Sequence, residues 1–330
     1  MVQKLAIVIL NWNGRTLLQQ FLPSVIEHSS EASIYVADNA STDDSVNFVK
    51  KHFPDVVVIQ NTENDGYAKG YNDALKYVDA DVYCLLNSDV EVTKNWLPPI
   101  ISEFENNPET AIIQPKILDY KNKTHFEYAG AGGGFVDKFG YPYCRGRIFN
   151  SVEEDSGQYN DSIDIFWASG ACLFIRKDAF DALDGFDESF FAHFEEIDLC
   201  WRAFNLGYKT KYIGTSTIYH VGGATLKSSN PKKTYLNFRN SLFTLVKNAY
   251  GNLFVLMLTR LLLDGVAGIK FLLELQPQHT FAIIKAHFNF YKKLPQLLKV
   301  RKSSKKGKDY YEKTSILATY YLKNCKTFNC

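Results

Sequence analysis

Residues 1–230 predict an α/β fold built on a mostly parallel sheet flanked by helices, and residues 231–330 predict an all-α appendage. Three observations carry this. Short apolar runs alternate with helix-length segments through the first 110 residues, the rhythm of strand–helix–strand units with crossover connections. Asn- and Asp-rich turns follow the apolar runs, where the ligand loops of open α/β sheets sit. Beyond residue 230 the alternation stops, and long stretches of helical apolar periodicity take over.

Taken in order, apolar runs at 5–10, 33–37, 56–60 and 82–86 read as strands, and 15–28, 43–53, 67–78 and 94–106 as helices. The first run is ended after six residues by Asn11-Trp12-Asn13-Gly14. A signal peptide needs a longer apolar core, so the run reads as a buried strand. Residues 120–162 are rich in Gly, Tyr, Asp and Asn and read as loops or hairpins. Strand character returns at 163–167 and 171–175. Helices follow at 177–183 and 196–206, the second stopped by Gly207. Late strands are expected at 209–213 and 217–220, and helices at 233–249, 252–275, 278–299 and 309–324.

The chain of 330 residues is 46% hydrophobic and 22% charged, enough to build a large core, which excludes global disorder. A net charge of +1 gives no reason to expect a nucleic-acid partner. That near-neutrality hides eight basic residues and no acid between 292 and 308, which leaves the rest of the chain net acidic. Cysteines stand at 84, 144, 172, 200, 325 and 330 with no CxxC pair, so a zinc site is unsupported. Cys84 and Cys172 lie in apolar runs and read as core residues. A reducing compartment is the simpler setting. No uncharged stretch reaches membrane-spanning length.

Asp38 and Asn39 end the second strand, where an acid can accept hydrogen bonds from a ribose or base; Ser41 or Thr42 can also simply cap the next helix. Gly66, in Asn64-Asp65-Gly66-Tyr67, either lets backbone approach a ligand or serves a turn. Asn87-Ser88-Asp89 follows the strand at 82–86. A carboxylate there suits a hard metal ion bound to phosphate, and equally a helix cap. Glu91 alternates onto the same side as Asp89. Glu195-Glu196-Ile197-Asp198 opens a helix, where acids are favoured by the dipole whatever the function. They follow the aromatic run 190–194, suited to a sugar-binding wall, and a general base must be a carboxylate or imidazole. Asp198 and Arg202 are spaced to pair. His220 ends a late strand in a glycine-flanked position that suits a metal ligand.

Taken together, these motifs over about residues 4–245 resemble family 2 glycosyltransferases of the GT-A fold, a Rossmann-like sheet, and within them the rhamnosyltransferase-like group. They comprise Asn11-Trp12-Asn13-Gly14, Asp38-Asn39-Ala40-Ser41-Thr42-Asp43, Asn64-Asp65-Gly66-Tyr67, Leu86-Asn87-Ser88-Asp89, Ser169-Gly170-Ala171, Gly185-Phe186-Asp187-Glu188, Glu195-Glu196-Ile197-Asp198 and Tyr219-His220. The resemblance implies that Asn11, Asp38, Asn39, Gly66 and Asn87 surround the nucleotide. It implies Asp89 and His220 as ligands of Mn2+ or Mg2+. It implies Glu196, with Glu195 as rival, as catalytic base, and Arg239 beside the diphosphate. Asn87 stands where the motif has Asp, and Glu196 where the family's acid pair has its second, shorter acid. The implied reaction is inverting transfer from dTDP-rhamnose or a UDP-sugar to a saccharide or lipid-linked saccharide in cell-surface polysaccharide synthesis. The alternatives are a nucleotidyltransferase or an inactive GT-A-like binding protein. The appendage reads either as a helical bundle or as a peripheral contact with an anionic membrane on the cytoplasmic side.

Overall fold

A computed structural model describes residues 4–222, 230–303 and 306–330. The chain begins with β1 (Leu5–Asn11), α1 (Arg15–Glu27), β2 (Ala32–Asp38), α2 (Ser45–His52), β3 (Val57–Gln60), α3 (Gly66–Leu75) and β4 (Val82–Asn87). β1 lies parallel to both β2 and β4, and β2 parallel to β3. Successive residues of β1 serve opposite faces: Ala6 and Val8 join one core layer, and Leu5, Ile7 and Ile9 the other. A strand covered on both sides must be apolar throughout, which is why the runs were legible without alternation.

Next come β5 (Val90–Val92), α4 (Leu97–Asn106) and β6 (Thr110–Asp119). Gln114-Pro115-Lys116 interrupts the apolar pattern of β6, and proline is unusual in an inner strand, so no strand was expected there. Long-range partners make it possible. Gln114 donates to the Gly130 carbonyl (3.0 Å) and accepts from the Ser169 N–H (2.8 Å), and Lys116 pairs with Asp155 (2.8 Å).

The glycine-rich middle forms a small antiparallel sheet of β7 (Gly134–Val136), β8 (Pro142–Cys144), β9 (Arg147–Ile148) and β10 (Ser151–Val152). A Cβ on Gly134 would stand 2.1 Å from the Trp167 ring, so only glycine allows that packing. β11 (Ser162–Ile165), β12 (Cys172–Arg176), α5 (Lys177–Ala182), α6 (Glu195–Leu206) and β13 (Lys209–His220) complete the α/β body. β12 inserts antiparallel between β4 and β6, and β13 runs parallel to β6. The large sheet is therefore parallel in its first half and mixed beyond, in the order β11-β13-β6-β12-β4-β1-β2-β3 with β5 on β13. The two late strands expected from the sequence are one strand with an irregularity between Ile213 and Thr217.

α7 (Pro231–Asn248), α8 (Leu253–Leu273) and α9 (Pro277–Ser303) follow. Asn230 caps α7 through the Lys232 N–H, and Asn252 caps α8 through the Val255 N–H. The helix expected over 309–324 does not form beyond a single π-helical turn, Ala318–Leu322. This segment instead lies along the α/β body. The Ile316 N–H donates to Asp137 (2.9 Å), Tyr310 donates to the Lys138 carbonyl (2.6 Å), and the Tyr310 ring meets Trp201. Backbone groups committed to tertiary partners are lost to a helical ladder. Cys325 and Cys330 form a disulfide, which the expectation of a reducing setting did not provide for, whereas Cys84, Cys144, Cys172 and Cys200 are free and buried.

Candidate active site

Three groups of residues gather at the carboxyl ends of the parallel strands. The first joins β1 to β2. The Asn11 amide donates to Asp38 (3.0 Å) and Ser41 (3.2 Å), and Asp38 also accepts from the Ser41 N–H (3.0 Å). Asn11 and Asp38 are buried, and the Asn11 side-chain oxygen has no partner. Asn39 brackets the neighbouring turns, donating to Asn64 (2.8 Å) and the Gly66 carbonyl (3.2 Å) while accepting from Asn61 (3.0 Å). Gly66 has φ 90°, and a Cβ there would fall 2.2 Å from the Phe191 carbonyl oxygen. What approaches this glycine is thus the chain before α6. Trp12, beside Asn11, is 53% exposed.

The second group joins β4 to β13. β5 pairs with the end of β13, which sets His220 beside the 87–89 turn. His220 Nε2 lies 3.2 Å from Asp89 Oδ1 and 3.4 Å from the Asn87 amide nitrogen, and Nδ1 faces Glu127 Oε1 at 3.5 Å. Burial pulls the imidazole down, but the carboxylates of Asp89 and Glu127 on either side outweigh it and push His220 up to about 10. Glu91 turns away to pair with Lys123. Among the described residues, no group of three or more His, Cys, Asp and Glu side chains is arranged to hold a metal ion. Asp89 and His220 offer two adjacent donors, a carboxylate oxygen and an imidazole nitrogen. Such a pair fits Mn2+ or Mg2+ only once His220 has given up the proton that Asp89 and Glu127 favour, and only with phosphate oxygens and water completing the shell.

The third group opens α6. His193 (φ 69°) and Phe194 (φ 73°) both take the left-handed conformation that side chains disfavour. The turn is held from outside. The Asn240 amide donates to the Ala192 carbonyl (3.0 Å) and the His193 carbonyl (2.7 Å), and the Tyr67 N–H donates to the Phe191 carbonyl (3.1 Å). Arg239 donates to Asn240 (2.8 Å) and to the Ser189 carbonyl (3.3 Å). Backbone held this way is typical of functional loops. The turn delivers Glu195 and Glu196 into a buried setting where one oxygen of each has no partner, and neither does His193 Nε2. Burial first, and then the Glu196 charge, raise Glu195 well above the carboxylate range. Burial pushes Glu196 up to about 7. Tyr67, whose hydroxyl donates to the Gly170 carbonyl (2.9 Å), lies close enough to feel both charges.

Asp198 follows a different course. It accepts from Arg202 (2.8 Å), as the sequence spacing suggested, and also from Lys247 and Asn248.

Two residues were missed. Glu127 lies in the irregular middle, where no periodicity marks it. Lys233, in the first turn of α7, is near enough to Glu127 and to His193 to act on both, and burial lowers its ammonium. Among the described residues it has no ion-pair partner. Lys232 and Lys233 stand side by side in the sequence, with no local sign of which turns inward. A cavity of about 860 Å3 lies elsewhere, between α3, α5 and α6, and is lined by Asn72, Lys76, Lys177, Asp187, Arg202 and Lys247.

Comparison with known proteins bears on the family and the fold. The rhamnosyltransferase of Mycobacterium tuberculosis that acts on N-acetylglucosaminyl-diphospho-decaprenol is 23% identical over 240 residues, covering 67% of this chain and 76% of its own. The low-salt glycan biosynthesis hexosyltransferase Agl10 of Haloferax volcanii is 24% identical over 249 residues, covering 73% and 75%. Among solved structures, the mannosyltransferase PcManGT of Pyrobaculum calidifontis, in complex with GDP-Man and Mn2+, matches with TM-score 0.56 at 11% identity over 88% of both chains. GalNAc-T7 with UDP, GalNAc and Mn2+ matches with TM-score 0.55 at 17% identity, over 74% of this chain and 48% of its own. The fold is GT-A, a mixed sheet flanked by helices with helices at its C-terminal end. The model of glycosyl transferase family 2 matches residues 6–184, so the chain belongs to that family and is a glycosyltransferase.

Proposed function

We propose that the protein is an inverting, metal-dependent glycosyltransferase. It moves a hexose from a nucleotide diphosphate donor, dTDP-rhamnose or a UDP-sugar, to a saccharide or lipid-linked saccharide during cell-surface polysaccharide synthesis, acting peripherally at the cytoplasmic face of a membrane. The chain divides near residue 230, with residues 1–110 binding the nucleotide and 111–230 the acceptor. The observation that carries the mechanism is the pair of buried acids with unpartnered oxygens, Glu195 and Glu196, on a strained turn.

Asn11, Asp38 and Asn39 shape the nucleotide pocket, with Gly66 and Asn87 at its edge. Glu196, raised to about 7, exchanges its proton near neutral pH, and in its carboxylate form it takes the proton of the acceptor hydroxyl as that oxygen attacks the anomeric carbon. Burial and the charge of Glu196 raise Glu195 well above the carboxylate range, and it is the rival for the same role. Asp89 and His220 would hold Mn2+ or Mg2+, which would supply positive charge for the departing diphosphate. Lys233 adds a cation at the same mouth, and Arg239 orders the 189–194 turn through Ser189 and Asn240. Such charge counts most when it meets charge that develops in the transition state. Support for the donor class comes from relatives and neighbours whose names specify rhamnosyl transfer, UDP and GDP-Man.

The test is release of nucleoside diphosphate from a panel of sugar nucleotides with and without Mn2+. Turnover should require the ion in the wild type and be lost in Asp89→Asn at unchanged melting temperature. Ion-independent turnover that survives Asp89→Asn refutes the assignment.

A further inference from the structure

α8 is amphipathic in an inverted sense. Its charged residues Arg260 and Asp264 face the protein. Arg260 donates to Asp264 (2.9 Å), Ser241 (2.7 Å) and the Phe139 carbonyl (3.0 Å), while Asp264 accepts from Tyr141 (2.9 Å) and faces His287 at 3.2 Å. The outward face is apolar instead. Phe254, Leu258, Leu262, Val266, Ile269 and Leu273 recur every three or four residues, and Leu262, Val266 and Leu273 are 65%, 63% and 80% exposed. An ordinary surface helix turns its polar stripe outward. Exposed apolar surface of this extent, on two adjoining helices, marks a contact site.

α9 continues the surface. Phe281 (68% exposed), Ile284, Phe288 (71%) and Tyr291 share its outer face. Lys292, Lys299 and Lys302 follow on that face, and α9 contains no acidic residue. Thr280 donates to the Gly268 carbonyl (2.8 Å) and His279 stacks on Phe271, so the two helices form a tied hairpin. Among the described residues, no helix is long and apolar enough to cross a membrane.

We propose that this outer face of α8 and α9 docks flat on an anionic lipid bilayer. The apolar side chains enter the headgroup boundary and the lysine row of α9 meets the acidic headgroups. Charge complementarity selects lipid over a second copy of the chain. Glu274, the acid at the end of α8, is already paired with Lys270 (2.6 Å) and α9 has no acid, so the same face of a second copy would set lysines against lysines. The consequence for function, delivery of a lipid-linked acceptor to the same surface, rests on the reading of the site above. The docking itself does not.

The test is co-sedimentation of the full chain with vesicles of phosphatidylcholine alone or mixed with phosphatidylglycerol. The wild type should prefer the anionic vesicles, and salt should weaken that preference. Leu262→Glu with Ile269→Glu should cut partition at least about tenfold. Lys292→Glu, Lys299→Glu and Lys302→Glu should each cost about fivefold on anionic vesicles and little on neutral ones. Melting temperature and sugar-nucleotide turnover in solution should stay as in the wild type. Unchanged partition of these variants overturns the proposal. So does a lipid-independent dimer that Leu262→Glu dissociates, because the face is then covered by a second copy. Loss of turnover with intact vesicle binding would instead indict the catalytic assignment.

Discussion

Glu195 and Asp198 lie one helical turn apart on α6, both buried, and the fold treats them in opposite ways. Asp198 sits among Arg202, Lys247 and Asn248, and Lys247 also holds Asp187 at 2.5 Å. Each of these charges has an opposite neighbour, and the cluster ties α6 to α7. Among the described residues, Glu195 and Glu196 have no cation in contact, and each keeps an oxygen without a partner. Burying a charge without compensation is costly, and such groups respond by shifting their proton affinity. One cluster holds the helices together, and the other keeps carboxyls ready to exchange protons. Residue type does not separate them, since all are acids in the first turn of one helix. What separates them is whether α7 supplies a cation.

The largest effect should come from the unpartnered pair. Glu196→Gln keeps the shape and removes the base, so turnover should fall by about 10²–10⁴. Nucleotide affinity by calorimetry should hold, and so should the melting temperature. If Glu195→Gln causes the loss and Glu196→Gln does not, the base is Glu195. Next comes the paired cluster. Lys247→Met takes the cation from Asp187 and leaves Asp198 with Arg202 and Asn248, and unfolding in urea should show a loss of about 3–5 kcal/mol. A loss under about 1 kcal/mol would mean that water screens the cluster as it does surface pairs.

The two clusters should also oppose each other in pH. Burial raises Glu196 to about 7, above its ordinary value, so its folded state favours the proton. Its contribution to stability is present at low pH and is lost as pH rises through about 7. Activity, which needs the carboxylate, should rise over the same range. Asp187 is the reverse: burial opposes ionisation, yet Lys247 holds it down at about 2. Its stabilisation is present above the ordinary aspartate value and is lost as pH falls towards 2. A rate profile flat from pH 5 to 9 would detach Glu196 from the proton transfer.

The smallest effect concerns the turn between the clusters. Asn240→Ala removes two hydrogen bonds to the strained carbonyls, each worth about 1 kcal/mol. Turnover should drop more than nucleotide affinity, because the acids lose their placement while the pocket at β1 and β2 is untouched. Equal loss in both would assign Asn240 to the nucleotide.

Much of the body was legible in the sequence where structure is local. β1, β2, β3 and β4 are short runs covered on both faces, and residue composition suffices to mark them. β6 was not legible, because Gln114, Pro115 and Lys116 break its apolar run and their partners Gly130, Ser169 and Asp155 are distant in sequence. The segment over 309–324 has helical periodicity, yet Asp137 and Lys138 draw its hydrogen-bonding groups away. The same division runs through the site. Asp89, His220 and the two glutamates stood out by following strands or opening a helix. Glu127 and Lys233 had no local mark.

By itself, the sequence determined the strand–helix rhythm, the placement of acids and amides just beyond strand ends, and the largely apolar stretch, broken by Arg260, Asp264 and Lys270, that became α8. Each follows from side-chain character over a few residues, which acts wherever the chain goes. Only the tertiary structure decided that His220 meets Asp89 and Glu127, that Asp198 is neutralised while Glu195 and Glu196 are not, and that Arg260 and Asp264 turn inward. These depend on which distant group arrives within about 3–4 Å, the range over which hydrogen bonds and desolvated charges act.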